Sequence, residues 1–388
     1  MTIPLFKVYM SSGATSRVSQ VLQSGYIGQG PRVAEFEELL DDYLETSIPS
    51  LTTSSGTAAL DLAYHLVGLG PGDKVITTPL TCTATATPLV QRGARLIFAD
   101  LDETSGNILP SSVARIYESH PDAKLIVAVD WGGTLCDYRG LRDAVHNEIP
   151  IVQDAAHAFG AESDGWPFLR ADNHGGPCPA LADFVAFSFQ AIKHLTTGDG
   201  GCLVCPDRET YERAKLLRWY GLDRESSDSY RCAQMVEEAG YKYHLNDIAA
   251  SIGIANMAAV TSLLDLSRRN ATYYAQGFHD LALDRHGVQA LPHSQGSSYW
   301  LYTLLVEDRQ GFVDFMAHRK ITVSPVHNRI DQMPCFDRVR VDGAPPTPAA
   351  EGFMARHVCI PGGWWLTDDE RDKVRCAVLD YAESGGRE

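Results

Sequence analysis

The chain has 388 residues, of which 44% are hydrophobic and 21% are charged, and its formal net charge at neutral pH is −16. This composition is typical of a globular protein and excludes a fibrous or largely disordered chain. The excess of acidic residues argues against nucleic acid or an anionic membrane surface as a partner, because both are held mainly by Lys and Arg.

The sequence also predicts a cytoplasmic protein that binds no metal. Its N-terminus lacks a basic stretch followed by an apolar core. The sequence also has no run of about 18 apolar residues, which a membrane-spanning helix needs. The nine cysteines are odd in number and widely scattered, which favours free thiols over a disulfide framework. Cys202 and Cys205 form the one close pair, but no second pair or histidine cluster stands at metal-ligand spacing. We therefore expect these two cysteines to be small residues of a buried strand.

The first long region predicts alternating strands and helices. Between residues 57 and 206, short runs rich in Val and Ile alternate with helical patterns. Because runs without polar alternation suit strands that are buried on both faces, we expect a mostly parallel central sheet covered by helices. Residues 163–180 are rich in Gly, Pro and Asn and predict a long loop between two of these strands.

The second region predicts a helical connection followed by a smaller domain. After Asn246, apolar residues recur near the helical period as far as Leu266, which favours one long helix or two helices in line. The remaining sequence predicts a small α+β domain with a closing helix, and residues 342–352 (DGAPPTPAAEG) predict a Pro-rich surface loop. We therefore divide the chain into a large domain of residues 1–255 and a small C-terminal domain of residues 256–388.

Three segments of the large domain carry candidate site residues, and two of the segments place them directly after predicted strands, where parallel sheets bind their ligands. SSGTAAL (54–60) opens an apolar helix with a Gly–Thr step, whose free backbone N–H groups favour phosphate, although the step alone predicts only a helix N-cap. Asp154 ends an apolar strand and either faces a crevice or caps the following turn. FSFQAIKHLTTGDGG (187–201) carries Ser188 after a buried strand and then Lys193. A partly desolvated lysine in such a loop becomes a nucleophile.

The joint occurrence of these segments, in this order, predicts a site for pyridoxal 5'-phosphate (PLP). This cofactor requires a lysine for a Schiff base, an acid beside its pyridine nitrogen, an anion site for its phosphate and packing against its ring. Lys193 is the candidate for the Schiff base, and Asp154 is the candidate for the acid. We expect a structural role for the adjacent His194, because neighbouring side chains of an extended loop point apart.

Together with LRWYGLDRE and GYKYHLND, these segments resemble the DegT/StrS-type nucleotide-sugar aminotransferases, a branch of the fold type I PLP enzymes. The likeness runs from about residue 26 to residue 336. It implies a fold type I α/β structure with a smaller C-terminal α+β domain. It also implies an aminotransferase of amino-sugar biosynthesis. Such an enzyme moves an amino group from L-glutamate to a keto-sugar, usually nucleotide-linked, by a ping-pong mechanism through an aldimine at Lys193.

The resemblance implies roles for individual residues, with Lys193 and Asp154 as the catalytic pair. The residues that would contact the cofactor are Gly56, Thr57, Ala58, Cys82, Asp154, His157, Ser188, Lys193 and Lys242. The residues that would line the substrate cleft are Tyr26, Ile27, Gly28, His327 and Asn328.

Several positions depart from the pattern of the family. Cys82 stands where these enzymes often have an aromatic residue on the cofactor ring. Lys242 and His244 stand where an Asn and an Arg often reach the site of the neighbouring subunit. We therefore expect a homodimer with sites at its interface, in which Lys242 faces the neighbour's cofactor phosphate.

Other functions remain open from the sequence. One is a PLP-dependent sugar dehydratase of the same fold, for which the resemblance calls for a His at the aldimine position or for Cys ligands to an iron–sulfur centre. A second is an aminotransferase that acts on a free keto-sugar acid. A third is a cofactor-binding regulator, which would need a DNA-binding segment or a basic face that this acidic chain lacks. Trp364 and Trp365 fit a sugar platform and packing against the last helix equally well.

Overall fold

A seven-stranded sheet organises the computed structural model, which describes residues 2–163, 166–167, 182–226, 233–279 and 287–385. The strands of the large domain are β1 (Leu51–Thr53), β2 (Lys74–Thr77), β3 (Arg95–Phe98), β4 (Ala123–Val129), β5 (Ile151–Asp154), β6 (Glu162–Ser163), β7 (Trp166–Pro167), β8 (Phe184–Ser188) and β9 (Gly201–Val204). The sheet has the order β1–β9–β8–β5–β4–β2–β3, and β6 pairs with β7 in a separate ladder.

The predicted mostly parallel sheet is confirmed. Strands β3, β2, β4, β5 and β8 run parallel to one another, and β9 alone runs against them, between β8 and β1. The Val, Ile and Leu side chains of these strands are buried on both faces, as the absence of polar alternation predicted.

Helices cover both faces of the sheet and build the second domain. They are α1 (Ala14–Ser24), α2 (Pro31–Leu44), α3 (Gly56–Leu66), α4 (Thr83–Gln91), α5 (Pro110–Ser119), α6 (Tyr138–Ala144), α7 (Arg208–Leu217), α8 (Asp247–Met257), α9 (Val260–His279), α10 (Arg309–His318), α11 (Pro334–Asp337), α12 (Pro348–Arg356) and α13 (Asp368–Ser384). One face of the sheet packs against α3, α4 and α7. The other packs against α5 and α6 near β4, and against α2 and α8 near β8.

The smaller α+β domain predicted after the helical connection is also present. Its antiparallel sheet consists of β10 (Val288–Ala290), β11 (Tyr302–Val306) and β12 (His357–Ile360), in that order. Side chains of α9, α10 and α13 bury Tyr274, Phe312 and Val378 against this sheet. The N-terminal segment joins the same layer, because Ile3 is buried in this core and pairs with Ile321.

Two details of the predicted second region are wrong. Helices α8 and α9 are not in line but meet at an angle of 59°. Ile254 of α8 and the start of α9, with Val260 and Leu264, pack in one core of the large domain, whereas Tyr274 farther along α9 packs in the core of the small domain. The predicted surface loop at residues 342–352 ends before Pro348, which begins α12. Proline is tolerated at the first position of a helix because a backbone N–H there would have no partner within the helix.

The division of the chain at residues 255 and 256 falls near the end of α8 and stays a prediction. The loop predicted at residues 163–180 lies mostly outside the described residues. In the part of the chain that the structure covers, no single helix is long and apolar enough to span a membrane.

The parallel strands bring the predicted site residues to one edge of the sheet. Strands β1, β5 and β8 end there, and the chain continues directly into Gly56, past Asp154 and past Ser188. Gly201 begins β9 at the same edge, and a Cβ atom at this position would lie 2.5 Å from the backbone of Ser55 and 2.6 Å from the backbone nitrogen of Gly56. Only glycine therefore allows β9 to approach the first turn of α3.

We expect Gly201→Ala to destabilise the protein by about 1–3 kcal/mol, because the added methyl group meets backbone atoms that cannot move without shifting α3. Urea unfolding of the cofactor-free chain measures this. The same substitution at Gly352, which lies inside α12 with no atom within 4 Å of the added Cβ, is the control. Gly352→Ala should be neutral or stabilise by about 0.5–1 kcal/mol, since alanine favours a helix. Equal effects of the two substitutions would contradict the proposed crowding at Gly201.

Candidate active site

Asp154 is a buried carboxylate at the end of β5, with only 4% of its surface exposed. One oxygen accepts a hydrogen bond from the Thr85 hydroxyl at 2.7 Å, and the other accepts from the Ala156 backbone N–H at 3.1 Å. Asp154 therefore caps its turn, as one sequence interpretation predicted, and its carboxylate also acts on the nearby Lys193 amine. Burial raises the pKa of this carboxyl group, while the bond from Thr85 and the nearby Lys193 amine oppose that shift.

Lys193 lies in the loop after β8, and its amine approaches Asp154. Burial lowers the pKa of the Lys193 amine to about 8, against the opposing attraction of Asp154. Among the described residues, the amine has no hydrogen bond or ion pair. Its nitrogen instead lies 3.7 Å from the centre of the Trp300 ring. A lysine in this state is partly deprotonated near neutral pH and is a competent nucleophile.

The start of α3 forms a cradle for an anion. Gly56 packs so closely on Ser188 that a Cβ on Gly56 would lie 2.9 Å from the Ser188 Cβ. The Ser55 hydroxyl caps the helix by accepting from the Ala58 N–H at 3.0 Å. Within the described part of the chain, the N–H groups of Gly56 and Thr57 have no hydrogen-bond partner. These groups and the helix dipole favour a phosphate beside Ser188, whereas the Ala58 N–H is already used.

His157, three residues after Asp154, stands in a row of rings. Its imidazole stacks on Trp300 at 4.0 Å and on His327 at 5.8 Å, and Trp131 lies edge-on to both imidazoles at 5.9 Å. Burial lowers the pKa of His157 well below its ordinary value and that of His327 to about 4. Both rings are therefore neutral at physiological pH. The His157 Nδ1 and His327 Nε2 atoms are buried and have no partner among the described residues.

Trp300 and Trp131 were missed by the sequence interpretation. The Trp300 indole N–H donates to the Ile192 carbonyl at 2.9 Å, and its ring also stacks on Phe6 at 5.0 Å. Trp300 belongs to the small domain, more than a hundred residues after Lys193, so no local pattern connects the two. The acceptor that its buried indole N–H requires is a backbone carbonyl of a distant loop, which the sequence around Trp300 does not reveal.

Two further predicted neighbours of Lys193 are Cys82 and His194. Cys82 is exposed at the start of α4, close enough to Lys193 that a thiolate there would raise the pKa of the amine. His194 is buried and its Nε2 hydrogen-bonds to the Ser298 carbonyl at 2.8 Å, which fits the structural role expected for it.

Within this chain, other predicted site residues are not brought to Lys193 by any described contact. The exposed Lys242 amine lies 3.9 Å from the centre of the Trp219 ring. Tyr26, Ile27 and Gly28 form a loop that the buried Asp247 anchors, and the side chains of Tyr26 and Ile27 are exposed. The roles predicted for these residues and for the exposed Asn328 stay predictions.

Trp364 and Trp365 pack against the N-terminal segment. Trp364 lies edge-on to Tyr9 at 5.3 Å, and the Trp365 indole N–H donates to the Pro4 carbonyl at 3.2 Å. These contacts favour a packing role for both tryptophans over a sugar platform.

The site thus combines an amine of lowered pKa, a buried carboxylate and open N–H groups at one edge of the sheet. Burial weakens the competition of water for these groups, so each interaction with a bound ligand is stronger than it would be at the surface. The arrangement can hold an anionic cofactor, attack a carbonyl carbon and move a proton.

Comparison with known proteins gives a family and close structural neighbours. Residues 9–379 match the sequence profile described as the DegT/DnrJ/EryC1/StrS aminotransferase family. The UDP-4-amino-4-deoxy-L-arabinose–oxoglutarate aminotransferase of Shewanella sediminis is 32% identical over 70% of this chain and 68% of its own length. The dTDP-4-dehydro-2,3,6-trideoxy-D-glucose 4-aminotransferase of Saccharopolyspora spinosa is 28% identical over 92% and 91%. The solved sugar aminotransferase CalS13 of Micromonospora echinospora superposes with a TM-score of 0.87 at 33% identity, over 97% of this chain and 99% of its own.

Proposed function

The chain belongs to the DegT/DnrJ/EryC1/StrS aminotransferase family, and from this premise we propose that it transfers an amino group from L-glutamate to a nucleotide-linked keto-sugar. It is a PLP-dependent aminotransferase, as its family and relatives are. Relatives named for UDP- and dTDP-linked sugars support a nucleotide-linked acceptor, and a relative named for oxoglutarate supports glutamate as the donor.

The residues of the site fit PLP, and one observation carries this assignment. The amine of Lys193 and the carboxylate of Asp154 lie within electrostatic reach of each other, on the same sheet edge as the anion cradle of α3. The N–H groups of Gly56 and Thr57, with Ser188, would hold the phosphate. Asp154 would face the pyridine nitrogen.

Bound PLP supplies a protonated pyridine ring that accepts the electron pair released at the substrate carbon. Asp154 keeps that proton in place, because a buried carboxylate paired with a cation stabilises the charged form of its partner. Thr85 donates to Asp154 and leaves the other carboxylate oxygen oriented by the turn. This hydrogen bond lowers the pKa of Asp154 and so opposes the effect of burial.

Lys193 binds the cofactor covalently at rest and is the proton carrier during turnover. Its lowered pKa means that the freed amine can accept a proton near neutral pH and return it later, as a general base and acid must. The buried Nδ1 of His157, which lacks a partner, is available to the hydroxyl side of the cofactor. His327 and Asn328 would contact the acceptor.

We further propose a homodimer with its sites at the interface and a cytoplasmic location. Large apolar side chains of the N-terminal region are exposed in the single chain: Val8, Met10, Leu22, Tyr26 and Ile27. A second subunit over this region would bury them and would explain why Tyr26–Gly28 and Lys242 do not reach Lys193 of their own chain. Lys242 would then add positive charge beside the neighbour's phosphate.

The protein incubated with PLP and L-glutamate should convert a nucleotide-linked keto-sugar to the amino-sugar, as mass spectrometry of the products would show. Borohydride should fix the cofactor to one peptide, which contains Lys193. Lys193→Ala should still bind PLP through its phosphate and ring but should not transaminate, because both the covalent link and the proton carrier are lost.

The matched control is Lys124→Ala, since Lys124 is paired with Asp73 and lies outside the site. Labelling of a different peptide, or near wild-type turnover by Lys193→Ala, would contradict the assignment of Lys193. Amination of free keto-sugar acids alone would replace the proposed acceptor class, and loss of a sugar hydroxyl without amination would indicate a dehydratase.

Asp154→Asn should retain PLP but slow the half-reaction with glutamate by about three orders of magnitude, roughly 4 kcal/mol in barrier. A neutral amide cannot hold the pyridine nitrogen protonated. Stopped-flow absorbance of the PLP-loaded protein measures the rate. Asp183→Asn, which alters an ion pair with Arg142 at the opposite edge of the sheet, should react at the wild-type rate. A rate for Asp154→Asn within about tenfold of wild type would show that Asp154 does not have this role.

Lys242→Ala should weaken PLP binding about tenfold, because a charge-assisted contact to the phosphate of the neighbouring subunit is lost. Equilibrium dialysis gives the affinity, and light scattering should show a dimer for both proteins. Lys124→Ala again serves as the control. An active monomer, or unchanged PLP affinity in Lys242→Ala, would rule out the shared site.

A further inference from the structure

A short segment of the small domain, residues 297–301, contacts three of the loops around Lys193. The Ser298 hydroxyl donates to the His157 carbonyl at 2.7 Å, and the Ser298 carbonyl pairs with the His194 ring at 2.8 Å. The Leu301 N–H donates to the Gly132 carbonyl at 3.1 Å. The segment therefore contacts the loop after Asp154, the loop of Lys193 and the turn after β4.

The position of this segment is set by a steric requirement at Gly133. The backbone there has a φ of +101°, and an added Cβ would lie 2.2 Å from the Ser298 hydroxyl oxygen and 3.1 Å from the Tyr299 nitrogen. Only glycine allows the segment to approach this closely. Trp300 is consequently held in place by its backbone neighbours and not only by its own side chain.

Trp300 makes two different contacts with the Lys193 loop. Its indole N–H donates to the carbonyl of Ile192, the residue before Lys193, at 2.9 Å. Its ring faces the free amine, with the Lys193 nitrogen 3.7 Å from the ring centre, a distance at which a cation–π interaction stabilises the ammonium form. The ring is itself wedged against His157 and Phe6, and Trp300 is 7% exposed.

We propose that Trp300 is the positioning residue of Lys193. Its N–H holds the loop at Ile192, and its ring face keeps the free amine beside the reacting carbon after the amine leaves the cofactor. This inference rests on the proposed function for its catalytic consequence, but the contact itself is testable without turnover.

The effect of the Trp300 ring on the Lys193 amine is measured against that of the charged and titratable groups around the amine. Asp154 and Cys82 raise the pKa of the amine, and the amine in turn lowers the pKa of three imidazoles, His157, His194 and His327. The imidazoles are neutral because burial lowers the pKa of each, to about 3 for His194 and to about 4 for His327. The Asp154 carboxylate and the Trp300 ring face thus favour the ammonium, while burial opposes it.

The first test measures the pH dependence of Lys193 acylation in the cofactor-free full-length chain. Trace acetic anhydride, followed by mass spectrometry of the Lys193 peptide, gives the midpoint of the reactivity curve. Trp300→Leu should lower this midpoint by roughly one pH unit, because the ammonium loses the ring face. If Trp300 only filled space, water entering the gap would raise the midpoint toward that of an exposed lysine. Trp300→Phe, which keeps a weaker ring face, should lower it by less.

The second test uses the PLP-loaded enzyme and separates kcat from KM. Trp300→Phe retains a ring but loses the N–H to Ile192, so kcat should fall about ten- to a hundredfold while KM for the acceptor stays within about twofold, since a small displacement of a reacting group slows chemistry and not binding. The matched control is Trp365→Phe, which removes an equivalent indole hydrogen bond to the Pro4 carbonyl in the same domain. This control should leave the acylation midpoint, kcat and KM unchanged.

An unchanged or raised acylation midpoint in Trp300→Leu would overturn the proposal, and so would a Trp300→Phe enzyme whose KM rises at unchanged kcat. If wild-type enzyme transferred no amino group from any donor, the proposed function would fail. The acylation result in the cofactor-free chain would still decide whether Trp300 acts on Lys193.

Discussion

At the carboxyl edge of the central sheet, a carboxylate and an amine share a volume from which most water is excluded. Asp154 ends β5 and Lys193 follows the neighbouring β8, so the parallel arrangement of these strands places both side chains at one edge. Burial penalises the charged form of each group, and their mutual attraction offsets part of that penalty. The pKa of about 8 leaves part of the Lys193 amine deprotonated near neutral pH, and the Asp154 carboxylate is available to a cation. A site with one of these groups at the surface would lose both properties.

The surroundings of this pair add few competing charges. His157 and His327 are neutral because burial lowers their pKa values, and the start of α3 contributes a positive helix dipole in place of a charged side chain. This explains how a protein with a net charge of −16 can hold an anionic cofactor. The attraction between the start of α3 and the anionic cofactor acts only over a short range. The packed helices separate the acidic surface of the protein from this site.

The part of the site that follows strands could be predicted from the sequence. Asp154 and Ser188 each come directly after an apolar run, Gly56 opens an apolar helix, and the order of the strands brings the three together. Trp300 and Trp131 could not be predicted in this way, because they reach the site through contacts between distant parts of the chain, with no periodic pattern to mark them. The bend between α8 and α9 could not be predicted for a related reason. Helical periodicity shows which face of a helix is apolar but not which part of the protein packs against that face.

The N-terminal segment is joined to the same group of rings. Ile3 pairs with Ile321, and the Phe6 ring stacks on Trp300. Leu5 and Phe6 thus belong to the core that holds Trp300, although they lie far from it in sequence. A truncation that removes Leu5 and Phe6 would therefore leave one side of the Trp300 ring unpacked, and expression designs that keep these residues and place the tag after α13 preserve the native packing of Trp300.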